Sequence, residues 1–163
     1  DRYMRIRVGN TPYFYLWRNL PSKSFLFVWL HNQLALFVSV FFLHFVLALL
    51  RRVRENKTFL IVAYSSNIIV FLFSLVFPYH FIGAVNPKMN FPFYTDKPGI
   101  LYLCFTLLFI IEAGYAIREM VKVYPFSSGI KKTQIKYTII ASIIGFVFGG
   151  STFPLVYDIP VYP

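Results

Sequence analysis

The chain is built of long apolar runs separated by short charged blocks. Leu34–Leu50 carries no acidic or basic side chain apart from the weak base His44, and Thr58–Pro78 carries none. A helix that is apolar all round has no face to offer water, and about 20 such residues cross the hydrocarbon core of a bilayer. The pattern predicts four spans, at about residues 25–50, 59–79, 99–116 and 137–153. The expected fold is therefore all-α, a polytopic transmembrane helix bundle. Between the second and third spans, NPKMNFPFYTDKPG is dense in Pro, Asn and Gly and reads as a turn-rich loop.

Composition agrees. Of 163 residues, 58% are hydrophobic, 21% aromatic and only 13% charged, whereas a soluble domain carries about a quarter charged residues to face water. The net charge of +10 is read as membrane topology. Nucleic-acid binders set base and stacking aromatics on one solvated face, but here the aromatics lie within the apolar runs and most Lys and Arg lie between them. Nucleic acid is excluded as a partner on this ground. The single Cys104 excludes an intrachain disulfide and a cysteine metal cluster. There is no P-loop, no zinc spacing and no Ser-His-Asp set outside lipid depth, so the segment is read as non-enzymatic, without cofactor or metal.

Charge orients the spans. Arg51, Arg52, Arg54 and Lys57 follow the first, while Arg118, Lys122, Lys131, Lys132 and Lys136 lie between the third and fourth. The other connection offers only Lys88 and Lys97. Short loops rich in Lys and Arg stay cytoplasmic, so the first and third spans descend into the cell and the second and fourth return. Residues 1–24 form a basic and aromatic lead-in, with Thr11–Leu20 a worn remnant of an upstream span, too short to cross. The Asn56-Lys57-Thr58 sequon is read as chance on the cytoplasmic side. The start at Asp1 and the stop just after an apolar segment suggest a piece of a longer protein.

Within the fourth span, Ala141, Gly145 and Gly149 recur every four residues and share one face, with Ser142 beside it. Membrane helices gain little by hiding apolar side chains from lipid and associate where small residues let backbones approach. The stripe is expected to receive a neighbouring helix, and Gly150 with Pro154 to mark a break or kink. Two polar groups stand inside the apolar runs. His44 lies seven residues before Arg51, and Glu112 six before Arg118, which puts both roughly 10 Å from the cytoplasmic boundary. A carboxyl there is costly unless paired or neutral. The expectation is a His44–Glu112 pair, as a proton-sensitive switch, part of a ligand cavity or a plain packing bond. Ser65, Ser66, Asn67 and Ser74 are expected to bond between helices, and His31, Asn32 and Gln33 to line a wetter outer half. His31 and His80 raise a haem alternative, but three histidines cannot build two bis-His sites. Glu112 raises a transporter alternative, which the unbroken run around it weakens.

Three stretches carry a resemblance: FFLHFVLALL before a basic turn, KPGILYLCFTLLF, and GIKKTQIKYTIIASIIGFVFGGSTFPLVYDIPVYP. Together they resemble the N-terminal seven-transmembrane sensor region of bacterial and archaeal histidine kinases, over about residues 25–163. In that family a basic loop with Gln and Tyr (here Gln134 and Tyr137) leads into a glycine-containing helix. The resemblance makes the four spans the third to sixth helices, and implies a sensory module of two-component signalling in a prokaryotic plasma membrane. It departs from the family in two ways. The first two helices, the seventh and the output domain are missing, and Ser151-Thr152-Phe153 lacks the Asn often found before the Phe. No ligand is carried over. The partners implied are the bilayer, the remaining helices and output domain of a parent chain, and a second copy of the chain. Where no sensor is meant, the chain reads as a small structural or transport membrane protein.

Overall fold

The computed structural model describes residues 23–88, 91–150 and 152–157. The lead-in up to residue 22, and the Asp158–Pro163 end of the stretch that carries the resemblance, lie outside these residues.

Helix α1 (Lys23–Leu49) is continuous because the run holds no Gly or Pro. It stops at Arg51, which adopts a left-handed φ of 59°. The Arg52 N–H then reaches back to the Leu47 carbonyl (2.8 Å) and the Arg51 N–H to that of Ala48 (3.0 Å). This is the Schellman pattern, closed here by an arginine rather than the usual glycine. Helix α2 (Lys57–Val76) returns, and the one-turn helix α3 (Pro78–Phe81) ends it. Helix α4 (Ile100–Val123) runs back to the end of the bundle that holds Arg51, a 3₁₀ turn at Tyr124–Phe126 reverses the chain, and α5 (Gly129–Gly150) returns once more. Helix α6 (Thr152–Val156) is short. Four helices are thus long and apolar enough to cross a membrane, and the chain is a multi-pass membrane protein.

Three boundaries differ from expectation. Helix α4 passes residue 116 by two turns, and α5 starts two turns before residue 137, so Lys131, Lys132 and Lys136 stand on helix rather than in a loop. Lys57 likewise opens α2. Hydropathy marks where lipid ends, whereas a helix continues into the headgroup layer as long as its backbone bonds are made. The turn-rich connection also differs and is a β-hairpin: β1 (Ile82–Lys88) pairs antiparallel with β2 (Phe91–Pro98), with a register irregularity between Asn86 and Lys88. The hairpin folds tightly onto α3. A side chain at Gly99 would come within 1.8 Å of the His80 carbonyl oxygen, so glycine is required there for close approach. The break or kink expected at Gly150 with Pro154 falls around Ser151, which lies outside the described residues; helix is described up to Gly150 and again over Thr152–Val156.

Helix α1 is the centre, packed against α2 and α4. On α2 the buried residues are Leu60, Ala63, Asn67, Val70 and Ser74, a three-four spacing that makes one seam. Two apolar clusters result. One holds Leu43, Leu47, Leu60, Ala116 and Met120, and the other Leu36, Val70, Phe81, Tyr102 and Phe105.

Candidate functional site

Between the two apolar clusters lies a polar layer with one residue from each of three helices. The sequence places it there. Ser39 follows Leu36 and precedes Val40 on α1, Asn67 falls between Ala63 and Val70 on the α2 seam, and Glu112 sits between Phe105 and Ala116 on α4. Glu112 is 1% exposed, Ser39 1% and Asn67 0%. The Ser39 hydroxyl donates to one carboxyl oxygen of Glu112 (2.6 Å), and the Asn67 amide donates to the other. Asn67 also bonds the Ala63 carbonyl within its own helix (2.9 Å), while its Oδ1 is buried with no hydrogen-bond partner. Each carboxyl oxygen therefore accepts one bond, each from a different helix. A single side chain ties α1, α2 and α4 together.

The layer stands at mid-height. Glu112 lies about 16 to 18 Å from either end of α4, and Ser39 and Asn67 about 15 Å from the ends of α1 and α2 nearest Arg51.

The expected His44–Glu112 pair is not formed. His44 is exposed on the outer surface of the bundle, where its Nδ1 lies 2.9 Å from the Tyr64 hydroxyl and its ring meets that of Tyr64 edge-on. The reason is angular. Leu43, Val46 and Leu47 face the core, and His44 lies about 100° around the helix from Leu43. Equal depth does not put two residues on facing sides. Of the other polar residues on α2, Asn67 and Ser74 bond across helices, whereas Ser65 and Ser66 make no such bond among the described residues. The Ser74 hydroxyl donates to the Gln33 Oε1 (2.9 Å), and the Gln33 Nε2 is buried without a partner. His31 and His80 are exposed.

The small-residue stripe is also corrected. Ala141, Gly145 and Gly149 are exposed, and a Cβ built at Gly145 or Gly149 would meet nothing within 4 Å. They line an open groove together with Val38 and Phe42 of α1 and Phe109 of α4. Phe146 is the cause: its ring meets those of Phe42 (4.8 Å) and Phe109 (5.3 Å) and props α5 away from α1. Ser142 is buried instead, bonded to the Thr138 carbonyl (2.5 Å).

Sequence reasoning missed a second polar cluster, at the end of the bundle that carries Arg51. Glu119 lies seven residues beyond Glu112, two turns along the same face of α4. Its side chain is 5% exposed and holds Arg52 and Lys122, each at 2.9 Å. Beside it the Tyr115 hydroxyl donates to the Asn56 Oδ1 (2.5 Å), and the Asn56 amide donates to the Arg52 carbonyl (3.0 Å). The sequon asparagine is thus committed to the fold. The signal was the seven-residue repeat of Glu on an apolar helix. No family model, curated protein or solved structure matches this chain.

Proposed function

We propose that the chain is the membrane-embedded input module of a two-component-type sensor, seated in a prokaryotic plasma membrane. The observation that carries this reading is the three-helix bond to the buried Glu112, midway along α4. An ionisable residue within a membrane-spanning helix is expensive, and where it occurs it commonly serves function. Any stimulus that shifts α1, α2 or α4 must break or re-form bonds that one carboxyl makes to two helices, so the layer has distinct bonded arrangements rather than a continuum. Glu119 and Lys122 stand two turns along the same helix, so a shift of α4 is also felt at the bridge from Glu119 to Arg52 in the α1–α2 turn. The resemblance of residues 129–163 to the sensor region of histidine kinases supplies the direction of the signal, through a further helix to a cytoplasmic output. Transport is the weaker alternative, because α1, α2 and α4 pass the polar layer unbroken, whereas transporter sites are typically formed by discontinuous helices.

The test is made in the parent reading frame. A seventh apolar span followed by a kinase core is expected, and Glu112→Gln is expected to change autophosphorylation at least several-fold at equal membrane abundance. A frame that encodes no output domain, or an output indifferent to Glu112→Gln and Asn67→Ala alike, overturns the reading.

A further inference from the structure

The end of the bundle that carries the α1–α2 and α4–α5 turns holds far more base than its own acids answer. Glu55 and Glu119 are the acidic residues of residues 51–57 and 118–136, and both are engaged. Glu119 holds Arg52 and Lys122, and Glu55 lies 3.6 Å from Arg52. Lys132 is placed over the ring of Tyr124, 5.3 Å from its centre. That leaves Arg51, Arg54, Lys57, Arg118, Lys131 and Lys136 without an acidic partner among the described residues. All but the half-exposed Lys131 are exposed.

Two further observations say what answers this charge. Phe126 is 90% exposed and Ile130 81% exposed, in the same turn as the lysines. Both stand at the turn that joins α4 to α5, at the end of the bundle that holds the unanswered base. A large apolar side chain there, flanked by base, is the pattern of a segment held at a charged lipid surface. Arg51 adds a conformational argument, since it occupies a left-handed position that glycine takes without cost and any other residue takes at a penalty.

We propose that this end of the bundle binds the phosphate headgroups of anionic lipids. Phe126 and Ile130 seat among the upper methylenes, and the six cations draw phosphates around the two turns. A zwitterionic headgroup carries its own cation and offers no net charge to this surface, so the recognition is for lipid with net negative charge. The proposal does not depend on the sensor reading.

The full chain is reconstituted in phosphatidylcholine vesicles, and the motionally restricted fraction of spin-labelled phosphatidylglycerol is compared with that of spin-labelled phosphatidylcholine. Each cation near such a surface contributes about 1 kcal/mol, or roughly fivefold in affinity. The wild type is expected to favour phosphatidylglycerol several-fold, with the preference falling as salt is raised. Arg54→Gln/Lys57→Gln/Lys131→Gln/Lys136→Gln is expected to bring the ratio close to one. Should that variant fail to fold, Phe126→Ser/Ile130→Ser, which keeps every cation, is expected to lower the ratio without abolishing it. Equal association of both lipids with the wild type overturns the proposal, and is the outcome if the surface serves an acidic protein instead. A preference that survives both the substitutions and high salt overturns it as well.

Discussion

At the residue scale, the bundle depends on how one carboxyl is satisfied. Glu112 accepts from Ser39 and Asn67, and Asn67 keeps an unused acceptor, its Oδ1. That spare acceptor makes a specific prediction. Glu112→Gln brings an amide whose oxygen can accept from Ser39 and whose NH₂ can donate to the Asn67 Oδ1 after a turn of that side chain. It should fall within about 1 kcal/mol of the wild type. Glu112→Ala leaves Asn67 only its bond to Ala63 and Ser39 only the long one to Leu36 (3.4 Å), and should cost about 2 kcal/mol, since interhelical bonds in membranes contribute ~0.6 kcal/mol on average and under-satisfied buried polar groups add to the loss. Reversible unfolding in mixed micelles measures both. Equal losses for Gln and Ala would show that the layer depends on the charge or shape of the carboxyl rather than on its bonds. The importance of Glu112 was legible in the sequence, because a carboxylate in an apolar run stands out. Asn67 was legible as a residue that bonds between helices, but not as the partner of Glu112, and Ser39 was not singled out. Ser39 and Asn67 are ordinary residues whose meaning comes from the angular positions of three helices, which no single run of sequence specifies.

At the element scale, two glycines that look alike in sequence behave oppositely. Gly99 is pressed against the backbone of His80, so Gly99→Ala must displace main chain and should cost roughly 1–3 kcal/mol. Gly145 faces the open groove, so Gly145→Ala meets nothing and should stabilise α5 by about 0.5–1 kcal/mol, the helix penalty of glycine being removed. Thermal unfolding of the two variants side by side decides it, and a loss at Gly145 would mean that a helix does cover the stripe. The stripe could not be interpreted from spacing alone, because spacing says that a close approach is permitted, while Phe146 decides that α1 does not make it. The turn between α1 and α2 is fastened differently, by the bridge from Arg52 to a nearly buried Glu119. A double-mutant cycle of Arg52→Ala with Glu119→Ala should give a coupling of about 1–2 kcal/mol that shrinks in high salt, because Arg52 is part-exposed and only Glu119 is desolvated. Additive losses would leave the bridge with no share in holding the turn.

At the scale of the whole molecule, the two ends of the bundle differ in charge. Apolar run length was enough to find the four helices, and their order along the chain was enough to make neighbours antiparallel. The hairpin between α2 and α4 was hidden because its Pro, Asn and Gly signal turns equally well in a loop. The structure puts Arg54 and Lys131 at one end of the bundle and Lys97 at the other. Loop charge assigns the first end to the cytoplasm, nine Lys and Arg against the two of the opposite connection. Single cysteines at Arg54, Lys131 and Lys97, introduced on a Cys104→Ser background, read this directly, since Arg54 and Lys97 are exposed and Lys131 is part-exposed. In intact cells a membrane-impermeant maleimide should label the Lys97→Cys variant and leave the other two unlabelled. After the membrane is opened, all three should react. Labelling of Arg54→Cys and Lys131→Cys from opposite sides would break the four-span topology, because it would require one of the intervening helices not to cross. Labelling of both from outside would keep the bundle and invert it, and the base at that end would then meet the outer leaflet rather than the inner.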